Sequence, residues 1–176
     1  MIAFIAVLAL MVSASQAQYT LGSYGYYYVS QFFTLNEIQK IENVIAQQAC
    51  SGATVEQIFD NALNTITQNI GANTAWRALT LANKLQHDLG NEFSAVQSAV
   101  RTSAQNTLTP VLNDLVRYCG YGADTVVSQG SAYANTQFVQ SMFNQLYQAV
   151  AGVSGHAWTV TRNDLNDVVY FSSYGY

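Results

Sequence analysis

Apolar residues return every three or four positions along most of this chain, the spacing that gathers them on one face of an α-helix. The stripe Leu35, Ile38, Ile41, Ile45 and Ala49 predicts a first helix to Cys50, opened by a capping box of Thr34 with Glu37. Thr54 with Gln57 repeats that signal. Val55, Ile58, Phe59, Ala62, Leu63, Ile66 and Ile70 then follow at helical spacing until Gly71 ends the run. A third helix, from Thr74 to Leu89, is read as burying Trp76, Leu79, Ala82 and Leu85, and it stops at Gly90. A fourth begins after Asn91 with Phe93, Val96 and Val100.

Thr109-Pro110 has the cap and first-turn arrangement that opens a helix, so a fifth is placed over Val111, Leu112, Leu115 and Val116 to Cys119. Gly120-Tyr-Gly122 and Gln129-Gly130-Ser131 are read as breaks with a short helix between them. A long helix carries Tyr133, Phe138, Met142, Leu146 and Val150 to Gly152. Residues 157–161 are read as extended, with Thr161 capping a last helix through Leu165, Val168 and Val169. Short loops make neighbouring helices antiparallel. The expected class is all-α: a compact bundle of roughly six to eight short amphipathic helices with Tyr/Gly/Ser-rich terminal segments.

Ahead of that body, Ile2 to Val12 is an unbroken apolar run of 11 residues, the length of a signal-peptide core and too short to span a bilayer. Ser15-Gln16-Ala17 places small residues at the −3 and −1 positions of a cleavage site, although no Lys or Arg precedes the run. The expected organisation is a signal peptide over 1–17, a Tyr-rich segment over 18–33, a helical domain over 34–171 and a Tyr/Gly/Ser tail over 172–176. Secretion follows, with no membrane association after cleavage, because no later run is long and apolar enough to span.

Charge narrows the partners. Net charge is −4 with a pI near 4.8, and the six Lys and Arg are scattered singly. That argues against nucleic acid, which needs a clustered basic face, and leaves no polybasic patch for a lipid surface. Asn, Gln, Ser and Thr carry the solubility, and so few charges repel neighbouring chains weakly, least of all near the pI. No Asn-X-Ser/Thr sequon occurs.

Cys50 and Cys119 are the only cysteines, an even pair that forms a bridge in an oxidising compartment. Each is placed at a helix C-terminus followed by glycine. If helices one, three and five run the same way, the ends carrying the two cysteines come level. An internal bridge is the preferred reading, and joining to a partner chain is the other.

Candidate chemistry is thin. His87-Asp88 with Glu92 nearby is the nearest approach to a metal cluster, but the Gly90-Asn91 break removes their helical register, and His156 lies far along the chain. Neither His-Glu-X-X-His nor Gly-X-Ser-X-Gly occurs, and no phosphate-binding glycine pattern does. Glu37, Glu56 and Glu92 sit in first helical turns, where they complement the helix dipole. No catalytic, cofactor or metal residue is assigned, and the expectation is a protein that is not an enzyme. Trp76, Phe59, Phe93, Phe138, Phe143 and Met142 are read as core, with a cavity for a small hydrophobic ligand as the alternative.

The chain ends remain. Tyr19, Tyr24, Tyr26, Tyr27 and Tyr28 crowd one end and Tyr170, Tyr174 and Tyr176 close the other, on Gly/Ser-rich backbone. Such phenols stack, hydrogen-bond across chains and couple oxidatively. Tyr24, Tyr26, Tyr27, Tyr28, Tyr174 and Tyr176 are therefore the candidates for association or crosslinking. An ordered arm over Tyr19 to Phe33, or a small sheet pairing it with Tyr170 to Tyr176, stays open beside that reading. The low-charge, Asn/Gln/Ser/Ala-rich helical composition resembles that of the non-repetitive partners of silk, such as fibroin light chains, without any shared motif. The expectation is a secreted structural or assembly protein of a silk-, eggshell- or cuticle-like material, partnering itself or other secreted structural proteins. The alternative is a secreted helical carrier of a small hydrophobic ligand.

Overall fold

Thr34 and Glu37 open the first helix as their spacing predicts. The Thr34 N–H and hydroxyl both donate to Glu37 Oε2, at 2.8 and 3.0 Å, and the Glu37 N–H donates back to Thr34 Oγ1 at 3.3 Å. Thr54 and Gln57 repeat the exchange at 2.9 and 3.2 Å. The computed structural model describes residues 34–133 and 136–173. In order these form α1 (Leu35–Cys50), α2 (Val55–Asn69), α3 (Ala72–Leu89), α4 (Phe93–Leu115), α5 (Ala123–Tyr133), α6 (Thr136–Val153) and α7 (Gly155–Ser173). Short 3-10 turns over Gly90–Glu92 and Val116–Tyr121 bracket α4. No strand occurs among the described residues, so the class is all-α.

The helices pack as two groups about a central pair. α4 lies along α6, which also packs on α7, and α7 in turn packs on α3. On the other side α1 packs on α2 and α5, and α2 and α5 both meet α4. Val96, Val100, Ala104 and Leu108 of α4 face Met142, Leu146 and Val150 of α6 across the middle of the core, all buried. Ile41, Ala46 and Ala49 with Val55 and Ile58 fill one side, and Ala78, Leu81, Ala82, Leu85 and Leu89 with Ala157 and Leu165 fill the other.

α3 is turned away from the face expected for it. Trp76 and Leu79 are 67% and 57% exposed, whereas Ala82 and Leu85 are buried as expected, beside Ala78, Leu81 and Leu89. Steps of three drift around a helix of 3.6 residues per turn by about 60° each, so a stripe built only from such steps slides off one face. Residues 78, 82, 85 and 89 mix steps of three and four and stay aligned. The buried stripe has the better period, and the large aromatic lies off it.

α4 runs unbroken through Pro110, where a new helix was expected to begin. The proline forfeits one backbone hydrogen bond and disfavours a helix interior by roughly 3 kcal/mol. It stands on an exposed face, and the apolar row Val96, Val100, Ala104 and Leu108 leading up to it is fully buried. Tertiary burial therefore outweighs the local stop signal. Cys119 accordingly follows the fourth helix, not the fifth, and sits in the 3-10 turn.

α5 likewise passes through Gly130 without a break. α7 replaces both the extended stretch over 157–161 and the cap at Thr161. It is Ser154 that opens this helix, its Oγ accepting from the Ala157 N–H at 2.8 Å, and Thr161 is buried within the helix. Because α7 continues to Ser173, residues 170–173 are helical and not part of a strand.

Candidate functional site

The two cysteines meet at one corner of the bundle. Cys50 is the last residue of α1, and the chain turns immediately through Gly52, whose φ of +88° is the left-handed conformation glycine permits. The Gly52 and Ala53 N–H groups donate to Ala49 O and Gln48 O at 2.9 and 3.0 Å, closing the helix end. Cys119 approaches from the far end of α4, and the Cys50–Cys119 disulfide joins Cα atoms 5.4 Å apart. The expected pairing is therefore correct, but its expected route is not. With Pro110 inside α4, strict alternation of direction would put the two ends on opposite sides. They come level all the same, in a fold where α3 and α4 make little contact with each other.

Beside the bridge lies a cleft of about 620 Å³ between the α1–α2 turn and the C-terminal half of α4. Ala49, Ala53, Val55, Leu112 and Val116 give it apolar walls, and Thr54, Glu56, Gln105, Thr109 and Asn113 line it with polar groups. Arg101 spans α4 and α2 near this cleft, donating to Asp60 Oδ1 at 2.6 Å and to Glu56 Oε1 at 3.5 Å. A second cavity, of about 20 Å³, the size of one water, lies between Leu85, Leu89, Phe93, Val96, Val100 and Thr161.

Titratable groups cluster on the opposite side. Lys84 of α3 bonds Asp88 at 2.8 Å and Asp164 of α7 at 2.9 Å, with Asp167 at 3.6 Å. Hydrogen bonds to Asp88 and then Asp164 hold the Lys84 ammonium above its ordinary pKa. Asp88 is lowered to about 2, first by the hydrogen bond with His87 and then by Lys84. Asp164 is shifted upward because burial outweighs the Lys84 contact. Glu92 pairs with His156, 2.6 Å away across the fold, and hydrogen bonds from Ser154 and then His156 hold its carboxyl below the usual range. This contact is invisible in sequence, where His156 stands 64 positions from its partner. Glu42 of α1 is different: it is buried with Oε1 unpartnered among the described residues, and desolvation raises its pKa to about 7. Among the described residues no group of three or more His, Cys, Asp or Glu is disposed to hold a metal ion, and no helix is long and apolar enough to cross a membrane.

Tyr24, Tyr26, Tyr27, Tyr28, Tyr174 and Tyr176, with the whole of 1–33 and so the expected signal peptide, lie outside the described residues. Where the body begins is defined. Glu37 Oε1 accepts from the Gly71 N–H at 2.6 Å, which pins Thr34 and the start of α1 against the α2–α3 turn. Of the aromatic and Met set, Met142 is buried, Phe93 half-buried and Trp76 exposed, while the side chains of Phe59, Phe138 and Phe143 lie outside those described. One exposed aromatic escaped the sequence reading: Tyr121, 78% exposed in the turn beside the bridge. Its signal was the glycine on either side, read only as a break.

No protein-family model, curated protein or solved structure matches this chain. The chain's own residues carry the functional reading.

Proposed function

We propose that this is a secreted, non-enzymatic structural or assembly protein of an extracellular proteinaceous material, whose Tyr-rich ends associate with other copies or other secreted chains. The observation that carries the reading is the placement of phenols: seven of the 12 tyrosines, at positions 19–28 and 174–176, flank the helical body, and Tyr170 stands in the last turn of α7. That body is closed by a disulfide, which is compatible with an oxidising extracellular setting. A net charge of only −4 opposes close approach of copies weakly. Self-association through the ends is tested by deleting residues 18–30 and 174–176. The second cut starts after Ser173 so that α7 keeps its last turn. Sedimentation velocity should then show monomer where the full chain is oligomeric, with an unchanged helical circular-dichroism spectrum. An unaltered sedimentation profile would remove the reading.

The cleft at the disulfide corner supports a second reading, a carrier of a small hydrophobic ligand. Its volume of about 620 Å³ falls within the usual range of ligand pockets, and its walls combine apolar groups with polar ones of which Glu56 alone is a carboxylate. Native mass spectrometry of protein from its source separates the two, because a co-purifying lipid-like mass favours the carrier and protein polymers favour the material.

A further inference from the structure

Tyr121 is presented in a way that no other tyrosine with a described side chain shares. Its ring is 78% exposed. Tyr118 is half-buried, and Tyr147 packs edge-on against Trp158 with ring centroids 4.8 Å apart. Gly120 and Gly122 flank Tyr121, so neither neighbour in the chain adds a side chain beside it, and a Cβ at either would meet nothing within 4 Å. The backbone beneath it is fixed. Cys119, two residues before, is tied to α1 by the disulfide, and the Gly122 N–H donates to Cys119 O at 3.1 Å. Gly122 holds a φ of +98°, and the Thr125 hydroxyl donates to Tyr121 O at 3.1 Å. The phenol thus stands clear of the surface on an anchored turn.

This combination favours oxidative coupling of phenols. The new bond forms between ring carbons ortho to the hydroxyl, so an ortho edge of each ring must be reachable by a second ring. An anchored backbone also spares most of the ordering cost of bringing the two rings together.

We propose that Tyr121 is a covalent crosslinking site that joins the helical body to a tyrosine of a second copy of this chain. It rests on the assembly reading above, which brings copies close outside the cell. Hydrogen peroxide, acting through a haem peroxidase, is the oxidant. Each of two phenols loses one electron and its hydroxyl proton. The two radicals join through a carbon–carbon bond between ortho positions, and the hydrogens on those carbons migrate to the oxygens to restore two phenols. The two electrons and two protons released reduce one peroxide to two waters, so the step balances.

The test treats the full-length protein with a haem peroxidase and hydrogen peroxide, then locates dityrosine by fragment-ion mapping. Tyr121 should appear in crosslinks several-fold more often than Tyr118 or Tyr147, and Tyr121→Phe, which keeps the ring and removes the phenol, should eliminate that class of crosslink. Coupling confined to the terminal tyrosines, coupling spread evenly over Tyr118, Tyr121 and Tyr147, or no coupling at all would overturn the assignment. Failure of the assembly reading shows separately, as a monomeric sedimentation profile of the full chain before any oxidant is added.

Discussion

The two sides of the bundle are held by different means. Where α1 and α2 meet the end of α4, a covalent bridge closes the corner, a cleft of about 620 Å³ stays open beside it, and Glu42 is buried with an unpartnered oxygen. Where α3 meets α7 there is no bridge. Leu81, Leu85 and Leu89 are buried, and the buried Asp164 has Lys84 at 2.9 Å from Oδ1, while its Oδ2 and the Thr161 hydroxyl have no hydrogen-bond partner among the described residues. One cavity there holds about 20 Å³. A crosslink limits the unfolded chain whatever the quality of native packing, so the stapled side tolerates open space and an unpaired carboxyl. The unstapled side depends on close packing and on Lys84, whose contact partly offsets the burial of Asp164.

Breaking the staple should have the largest effect. The bridge spans 69 residues, for which the chain-entropy treatment gives a contribution of roughly 4 kcal/mol. Cys50→Ala with Cys119→Ala should lower unfolding free energy by about that amount in a denaturant titration. Hydrogen exchange then tests the comparison: amides of α1 and α2 should lose protection well before those of α3 and α7. Equal loss on both sides would mean that the two groups unfold as one unit, and the contrast between them would fall.

Legibility in the sequence divides along a related line. Signals confined to one turn were readable: the Thr34–Glu37 and Thr54–Gln57 exchanges, and the glycines after Cys50 and Leu89. Those that depend on distant packing were not. Pro110 reads as a start because its local preference is strong, yet the burial of Val96, Val100, Ala104 and Leu108 against another helix carries α4 through it. Nothing local says that Glu92 will find His156, or that α3 will turn Ala78 inward and Trp76 outward. The cysteine pairing was readable from count and compartment, although the helix directions offered in its support were not those of the fold.

Glu42 should give an intermediate effect with a definite sign. Its pKa rises from 4.5 to about 7, so between those values the folded state holds a proton that the unfolded chain has released. The stability this contributes is complete below the ordinary carboxyl value and is lost as pH rises through 7. Glu42→Gln cannot ionise, so it should be more stable than the parent at pH 8, by about 2 kcal/mol, and differ little near pH 4. Comparing the two proteins at each pH cancels the contribution of Asp164, also shifted upward, which both retain. A difference independent of pH would mean that burial leaves Glu42 without a net shift, and the contrast drawn from its unpartnered oxygen would disappear.

Trp76 should give the smallest effect, and it asks whether the α3–α7 side is packed on one face only. Truncating a buried tryptophan to alanine costs roughly 3–5 kcal/mol, because the lost transfer free energy adds to that of the cavity left behind. Trp76 is 67% exposed and Leu79, one turn on, is 57% exposed, so neither ring nor branch leaves a cavity when removed. A surface change of this kind falls within about 0.5 kcal/mol. Trp76→Ala should therefore leave the denaturation midpoint nearly unchanged in the full-length protein. The measurement has a second use, since residues 1–33 lie outside those described and α1 starts against the α2–α3 turn at Gly71, five residues before Trp76 and eight before Leu79. A loss above about 2 kcal/mol would be too large for an exposed ring. It would mean that the outer face of α3 is covered in the intact protein, and the seam would then be packed on both faces, unlike the open corner across the bundle.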